Sequence, residues 1–186
     1  MIATTIRLHL RQSIWIALVL VLLGGCATTS VLNGLHETAT ASNREGLALL
    51  EQDAFKAAQT RFSNAINLLE QVLATCEDTG DCDRQTLEPV RDNLATAYTN
   101  RAYTRMHLGG MDELALADLD RALELAPDRV EPHQYRAVIA IRSLDEAAAW
   151  EEYLYLRERD PAFADELFQA YEEAFGPRLP ETTGSR

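Results

Sequence analysis

Three cysteines, Cys26, Cys76 and Cys82, are the side chains of this 186-residue sequence best placed to do chemistry. Cys76 and Cys82 flank an acidic loop of Glu77, Asp78, Asp81 and Asp83. Thiols at so short a spacing can form a disulfide or enter a metal site. A zinc site needs further ligands. Beyond residue 25 only His36, His107 and His133 are available, and none is spaced as in a zinc finger or a zinc protease. The acidic loop lacks the alternating ligand order of an EF-hand and reads as solvated, so no metal is expected. The sequence contains no Gly-x-Ser-x-Gly, no phosphate loop and no clustered histidines. No catalytic residue is assigned, and an enzyme is the least favoured functional class.

The segment before Cys26 differs from the rest. Met1 to Gln12 holds Arg7 and Arg11 and no acid, Ile14 to Leu23 is apolar, and Gly24, Gly25, Cys26 and Ala27 are small. This order is that of a secretory signal, here residues 1–25. A membrane-spanning helix needs roughly 20 apolar residues, more than the run supplies. Export brings the chain into oxidising conditions, so Cys76 and Cys82 are expected to pair. Leu23-Gly24-Gly25-Cys26 resembles the lipobox of bacterial lipoproteins. The resemblance implies cleavage before Cys26, diacylglycerol on its sulfur and acylation of its freed amine. Several acyl chains hold stably where one does not. With Ala27 rather than Asp after the cysteine, it further implies an outer-membrane protein facing the periplasm. The covalent lipid is the sole expected membrane contact, and no cofactor is expected.

These features need elements to position them. Ala, Leu, Glu, Asp and Arg dominate and strand signals are absent, so the fold class is all-α, and 47% hydrophobic residues suffice for one domain. Thr28 to Ala41 is rich in Thr and Ser and reads as a flexible tether, giving residues 26–41 to the anchor. Ser42-Asn43-Arg44-Glu45 has the form of a capping box and should start the first helix. Pro127 and Pro161, Ala115 and Ala149, and Leu119 and Tyr153 each lie 34 residues apart, and Arg101-Ala102 recurs as Arg136-Ala137. That is the period of the tetratricopeptide (TPR) helix-turn-helix unit.

The pattern resembles three TPR repeats between Ser42 and Pro161. Gly46, Leu49, Ala58, Phe62 and Ala65 match the first; Ala102, Ala115, Leu119, Ala122 and Pro127 the second; Ala137, Ala149, Tyr153 and Pro161 the third. Departures are the longer turn Gly109-Gly110-Met111, Leu156 at a small-residue position, and about two dozen residues between repeats one and two. Those extra residues should lengthen the second helix to Cys76 and start the third from Pro89. A helix from about Ala162 to Phe175 places Phe163, Leu167, Phe168, Tyr171 and Phe175 on one face and should cap the solenoid, closing a domain of residues 42–175. Residues 176–186 read as a disordered tail.

The TPR resemblance implies protein binding in a groove lined by the first helices of successive repeats. Removing Arg7 and Arg11 with the signal leaves 15 basic residues against 29 acids, a formal charge of −14 that disfavours nucleic acid. Acids concentrate on second helices and arginines on first helices, so a neutral or slightly basic groove is expected. In the repeat plan Arg101 faces Asp118 and Arg136 faces Glu152, which reads as an ion pair within each unit. The groove candidates are Asn43, Arg44, Leu47, Leu50, Asn100, Tyr103, His107, Val138, Ile141 and Arg142. The resemblance extends to TPR lipoproteins that gather envelope enzymes such as murein hydrolases and proteases. The expected function is thus an adaptor or scaffold, and the alternative is a pilotin-like assembly factor for a secretin or pilus.

Overall fold

The computed structural model describes residues 30–80 and 82–177. The expected signal, Cys26, Asp81 and the tail from residue 178 lie outside the described residues. Seven helices and no strand occur among the described residues: α1 over 30–50, α2 Phe55–Thr79, α3 Arg84–Leu108, α4 Asp112–Leu125, α5 Val130–Arg142, α6 Glu146–Arg159 and α7 Pro161–Phe175. The all-α class expected from composition is therefore observed. Among these residues no helix is long and apolar enough to cross a membrane.

From α2 onward each helix packs on its successor along the chain, and α3 also packs on α5 and α5 on α7; an ion pair between Glu45 and Arg61 joins α1 to α2. Hydrogen bonds from Asn93 to His36 (2.6 Å) and from Asn100 to Asn43 (3.2 Å) join α3 to α1. The odd-numbered helices thus lie side by side. Three hairpins, α1–α2, α3–α4 and α5–α6, each bury a small residue on both helices: Gly46 and Ala58, Ala102 and Ala115, and Ala137 and Ala149. A Cβ added at Gly46 would lie 2.5 Å from Cε1 of the fully buried Phe62, so this ring needs the glycine. Each hairpin turn has a left-handed residue two positions before its second helix: Asp53 (φ 55°), Gly110 (φ 65°) and Leu144 (φ 59°).

The tether expected over residues 28–41 is corrected from residue 30 onward, where the chain is helical. Leu32, Leu35 and Ala39 recur at helical spacing and pack with Ile66, Leu69, Val72, Val90 and Leu94. Thr38 and Thr40 return their hydroxyls to the carbonyls of Gly34 and His36, which satisfies these polar side chains within the helix. Ser42 consequently lies in a helix interior, and the expected capping box does not form there. The start of α3 is corrected as well. Asp83 caps it, accepting from the Thr86 amide at 2.9 Å and the Thr86 hydroxyl at 2.8 Å, and Pro89 falls inside the helix. The result is a stalk in which α1 and the lengthened parts of α2 and α3 share one core.

Cys76 and Cys82 are joined as a disulfide, Cα to Cα 5.2 Å, at the end of this stalk. Gly80 in the left-handed conformation ends α2 between them. Helix α7 matches the expected helix, with Leu167 and Tyr171 buried and Pro161 in its first turn behind the Asp160 cap.

Two predictions follow from the packing. Gly46→Ala should destabilise by up to about 2 kcal/mol net, because overpacking costs about 1–3 kcal/mol and the gain in helix propensity returns roughly 1. In a Phe62→Leu background, which copies the Ala102–Leu119 pair of the second hairpin, the same change should be neutral or stabilising. Urea denaturation of the four proteins gives the cycle, and equal effects in both backgrounds would refute the close approach. Replacing both Cys76 and Cys82 by Ser should cost about 2 kcal/mol, the amount a loop this short restricts in the unfolded chain. An unchanged unfolding midpoint would show that the bond adds nothing.

Candidate functional site

Most arginines on the odd-numbered helices are occupied within the fold. Arg101 binds Asp118 through Nε (2.9 Å) and Nη2 (2.7 Å) and reaches Ser63 Oγ through Nη1 (3.2 Å). Arg105 donates to the same carboxylate at 2.6 Å and to the Leu114 carbonyl at 2.8 Å. Asp118 is only 4% exposed, so this is a buried carboxylate held by two guanidinium groups. Burial, reinforced by the positive charge of Arg101, lowers the Arg105 pKa, while the carboxylate of Asp118 pulls it up. In the third hairpin Glu152 is similarly buried and receives Arg136 Nε at 2.8 Å and His133 Nδ1 at 2.7 Å. The two pairs expected from the repeat plan, Arg101–Asp118 and Arg136–Glu152, are present.

The first hairpin uses the same two places with opposite signs. Glu45 precedes Gly46 as Arg101 precedes Ala102, and Arg61 precedes Phe62 as Asp118 precedes Leu119. Arg61 Nε lies 3.2 Å from Glu45 Oε2. This pair is about half exposed, whereas Asp118 and Glu152 are buried. It contributes correspondingly little to stability.

A row of side chains runs across the odd-numbered helices. Asn43 on α1 accepts from Asn100 on α3. Tyr103, one turn on from Asn100, packs its ring 4.2 Å from His107 and 5.4 Å from Tyr135 on α5. Phe55, at the start of α2, stacks on His107 at 4.9 Å. Val138, Ile141 and Arg142 on α5 then face Phe163, Glu166, Leu167 and Ala170 on α7 across a mainly apolar groove of about 230 Å³. Burial raises the Tyr135 pKa, with smaller contributions from Tyr103 and Glu131.

The sequence-derived site residues sort unevenly against this row. Asn43, Asn100, Tyr103 and His107 are linked by the contacts above, and Val138, Ile141 and Arg142 share the groove. Leu47 and Leu50 follow Asn43 at helical spacing on α1, with Leu47 exposed. Arg44 is exposed and lies about a quarter-turn from Asn43 around that helix. Arg142 needs correction as a source of groove charge: both Asp112 carboxylate oxygens lie 3.0 Å from its Nη2, tying the end of α5 to the start of α4. With Arg101, Arg105, Arg136 and Arg142 all paired, the row is aromatic, amide and aliphatic, closer to the neutral than to the slightly basic form of the groove expected from charge counting. The sequence reading missed Tyr135 and the α7 wall. Tyr135 precedes Val138 by three and Arg142 by seven residues, a spacing that would have found it.

The chain matches no family model, no curated protein and no solved structure.

Beneath the row, Tyr98 donates to Glu70 Oε1 at 2.5 Å, with Arg101 5.3 Å from its ring centre. Burial, followed by the hydrogen bond to Glu70 and its charge, pushes the phenol up to about 12. An unfolded tyrosine titrates near about 10. The native state therefore holds this proton more tightly, and the stability it confers is complete below about pH 10 and is lost as pH rises through about 12. Denaturation midpoints across this window should fall more steeply for the native chain than for Tyr98→Phe. Identical slopes would refute the shift.

Proposed function

We propose that this chain is a lipid-anchored, periplasm-facing TPR adaptor of the outer membrane, which gathers envelope proteins such as murein hydrolases or proteases along the row on its odd-numbered helices. The observation that carries the reading is that row: side chains from α1, α3, α5 and α7 meet in sequence from Asn43 to the groove between Ile141 and Phe163. The repeating hairpins support a TPR-like solenoid of three units closed by α7. Their small residues occur at the places the TPR pattern assigns to close helix contact, and the odd-numbered helices lie next to one another as first helices do in that family. The anchor rests on Leu23-Gly24-Gly25-Cys26 at the end of the apolar run.

The chemistry of the row suits an amphipathic segment of a partner. Tyr103 and Tyr135 offer large, rigid contact area, and Ile141, Val138 and Phe163 offer desolvation. Because the nearby arginines are paired internally, binding should depend on apolar burial more than on salt.

A photo-crosslinking amino acid placed at Tyr135 in intact envelopes should trap a murein hydrolase or protease. The same group at Ala117, exposed on α4, should not. Tyr103→Ala should reduce the adduct several-fold with helicity unchanged, and Cys26→Ser should remove the protein from the membrane fraction. A secretin adduct would transfer the assignment to the pilotin reading. Equal adducts from both positions would remove the groove, and a native protein without acyl mass would remove the anchor.

A further inference from the structure

The structure turns the expected tether into part of a folded stalk, and this fixes where a lipid surface can lie. The hydrogen bonds of α1 to α3 pair His36 with Asn93 and Asn43 with Asn100, each separated by 57 residues. The two helices therefore run parallel and in register. Carried six residues toward the N-terminus, the same register places residue 30 level with Leu87, one turn above the start of α3 at Arg84. The first described turn of α1 thus lies beside the end of the stalk that holds the Cys76–Cys82 disulfide. The hairpin turns at Asp53, Gly110 and Leu144 lie at the opposite end.

We propose that the disulfide end of the stalk stands against the lipid surface, and that the partner-binding row is held at a set height above it. The proposal rests on the lipoprotein reading of Cys26. Four peptide steps separate Cys26 from residue 30, and fully extended they span at most about 14 Å. The stalk end cannot leave the headgroups by more than that reach. A helix rises about 1.5 Å per residue, so Asn100 stands roughly 24 Å and His107 roughly 35 Å above Arg84 along α3. Exposed Glu77, Asp78 and Asp83 at this end repel anionic headgroups over about one Debye length, about 8 Å at physiological salt. The covalent anchor, rather than surface adsorption, therefore holds the end in place.

The test uses the full protein purified from membranes in its acylated form and placed in phosphatidylcholine vesicles that carry a headgroup nitroxide. A fluorophore is attached through Gln85→Cys at the stalk end or Glu113→Cys near the hairpin turns, both exposed positions. Quenching should be several-fold stronger at position 85 than at 113. A 12-residue Gly-Ser insertion between Ala27 and Thr28 should lower the quenching at position 85 to the level seen at 113. Equal quenching at both positions without the insertion, or stronger quenching at 113, would overturn the proposal while leaving the anchor intact. Mass spectrometry of the same sample separates the two readings, because an unmodified Cys26 would remove the lipoprotein assignment and this orientation together.

Discussion

Each hairpin buries small residues on both of its helices. Gly46 and Ala58, Ala102 and Ala115, and Ala137 and Ala149 are buried and lack the bulk that would hold two helices apart, and in the first two hairpins the residue four positions after the alanine of the second helix, Phe62 or Leu119, is fully buried. In the first hairpin the size of that residue is tied to its neighbour, because the Phe62 ring occupies the space that a Cβ at Gly46 would need. The hairpins so formed set the odd-numbered helices side by side, and with them the row from Asn43 to Ile141. The third hairpin shows how much variation the contact tolerates. Leu156 occupies the place of Ala65 and Ala122 and is fully buried, because Val130, Phe163 and Leu167 leave room for it between α5 and α7.

Charge is used mainly inside the domain. Two buried carboxylates, Asp118 and Glu152, each draw a pair of basic side chains onto them, and this removes the first-helix arginines from the surface row. A buried ion pair is weak support for stability, since desolvation offsets much of the attraction. Its stronger effect is on geometry. Arg101 reaches Ser63 on α2 as well as Asp118 on α4, so one guanidinium sets α3 against both neighbours. The outward face is left acidic, while the row is left to aromatic and aliphatic groups.

Much of this was legible in the sequence, for reasons that differ by residue. The 34-residue spacing placed Arg101 opposite Asp118 and Arg136 opposite Glu152 because equivalent positions in a repeat share neighbours. The disulfide was legible from two cysteines six residues apart, behind a segment that reads as an export signal. What failed was reading local composition as local structure. Threonines and serines around residues 28–42 suggested a tether, yet Leu32, Leu35 and Ala39 bury one stripe in the stalk and carry the helix through them. Pro89 suggested a helix start, but Asp83, six residues before it, supplies the cap and leaves the proline inside the helix. Arg142 was assigned to the groove because its partner, Asp112, belongs to another hairpin, a contact that no single-repeat plan contains.

The reversed ion pair of the first hairpin bears on how the chain finds its own partners while folding. Three similar helix pairs in one polypeptide invite exchange, in which a first helix closes on another unit's second helix. If α1 closed on α4, Glu45 would meet Asp118, acid against acid at a buried place. If α3 or α5 closed on α2 in the same manner, Arg101 or Arg136 would meet Arg61. Like charges forced together can cost several kcal/mol, which is enough to reject a wrong pairing that is otherwise well matched in shape. The weak Glu45–Arg61 pair thus has a value that its contribution to the finished structure does not reveal: it makes the first hairpin non-interchangeable with the two that follow.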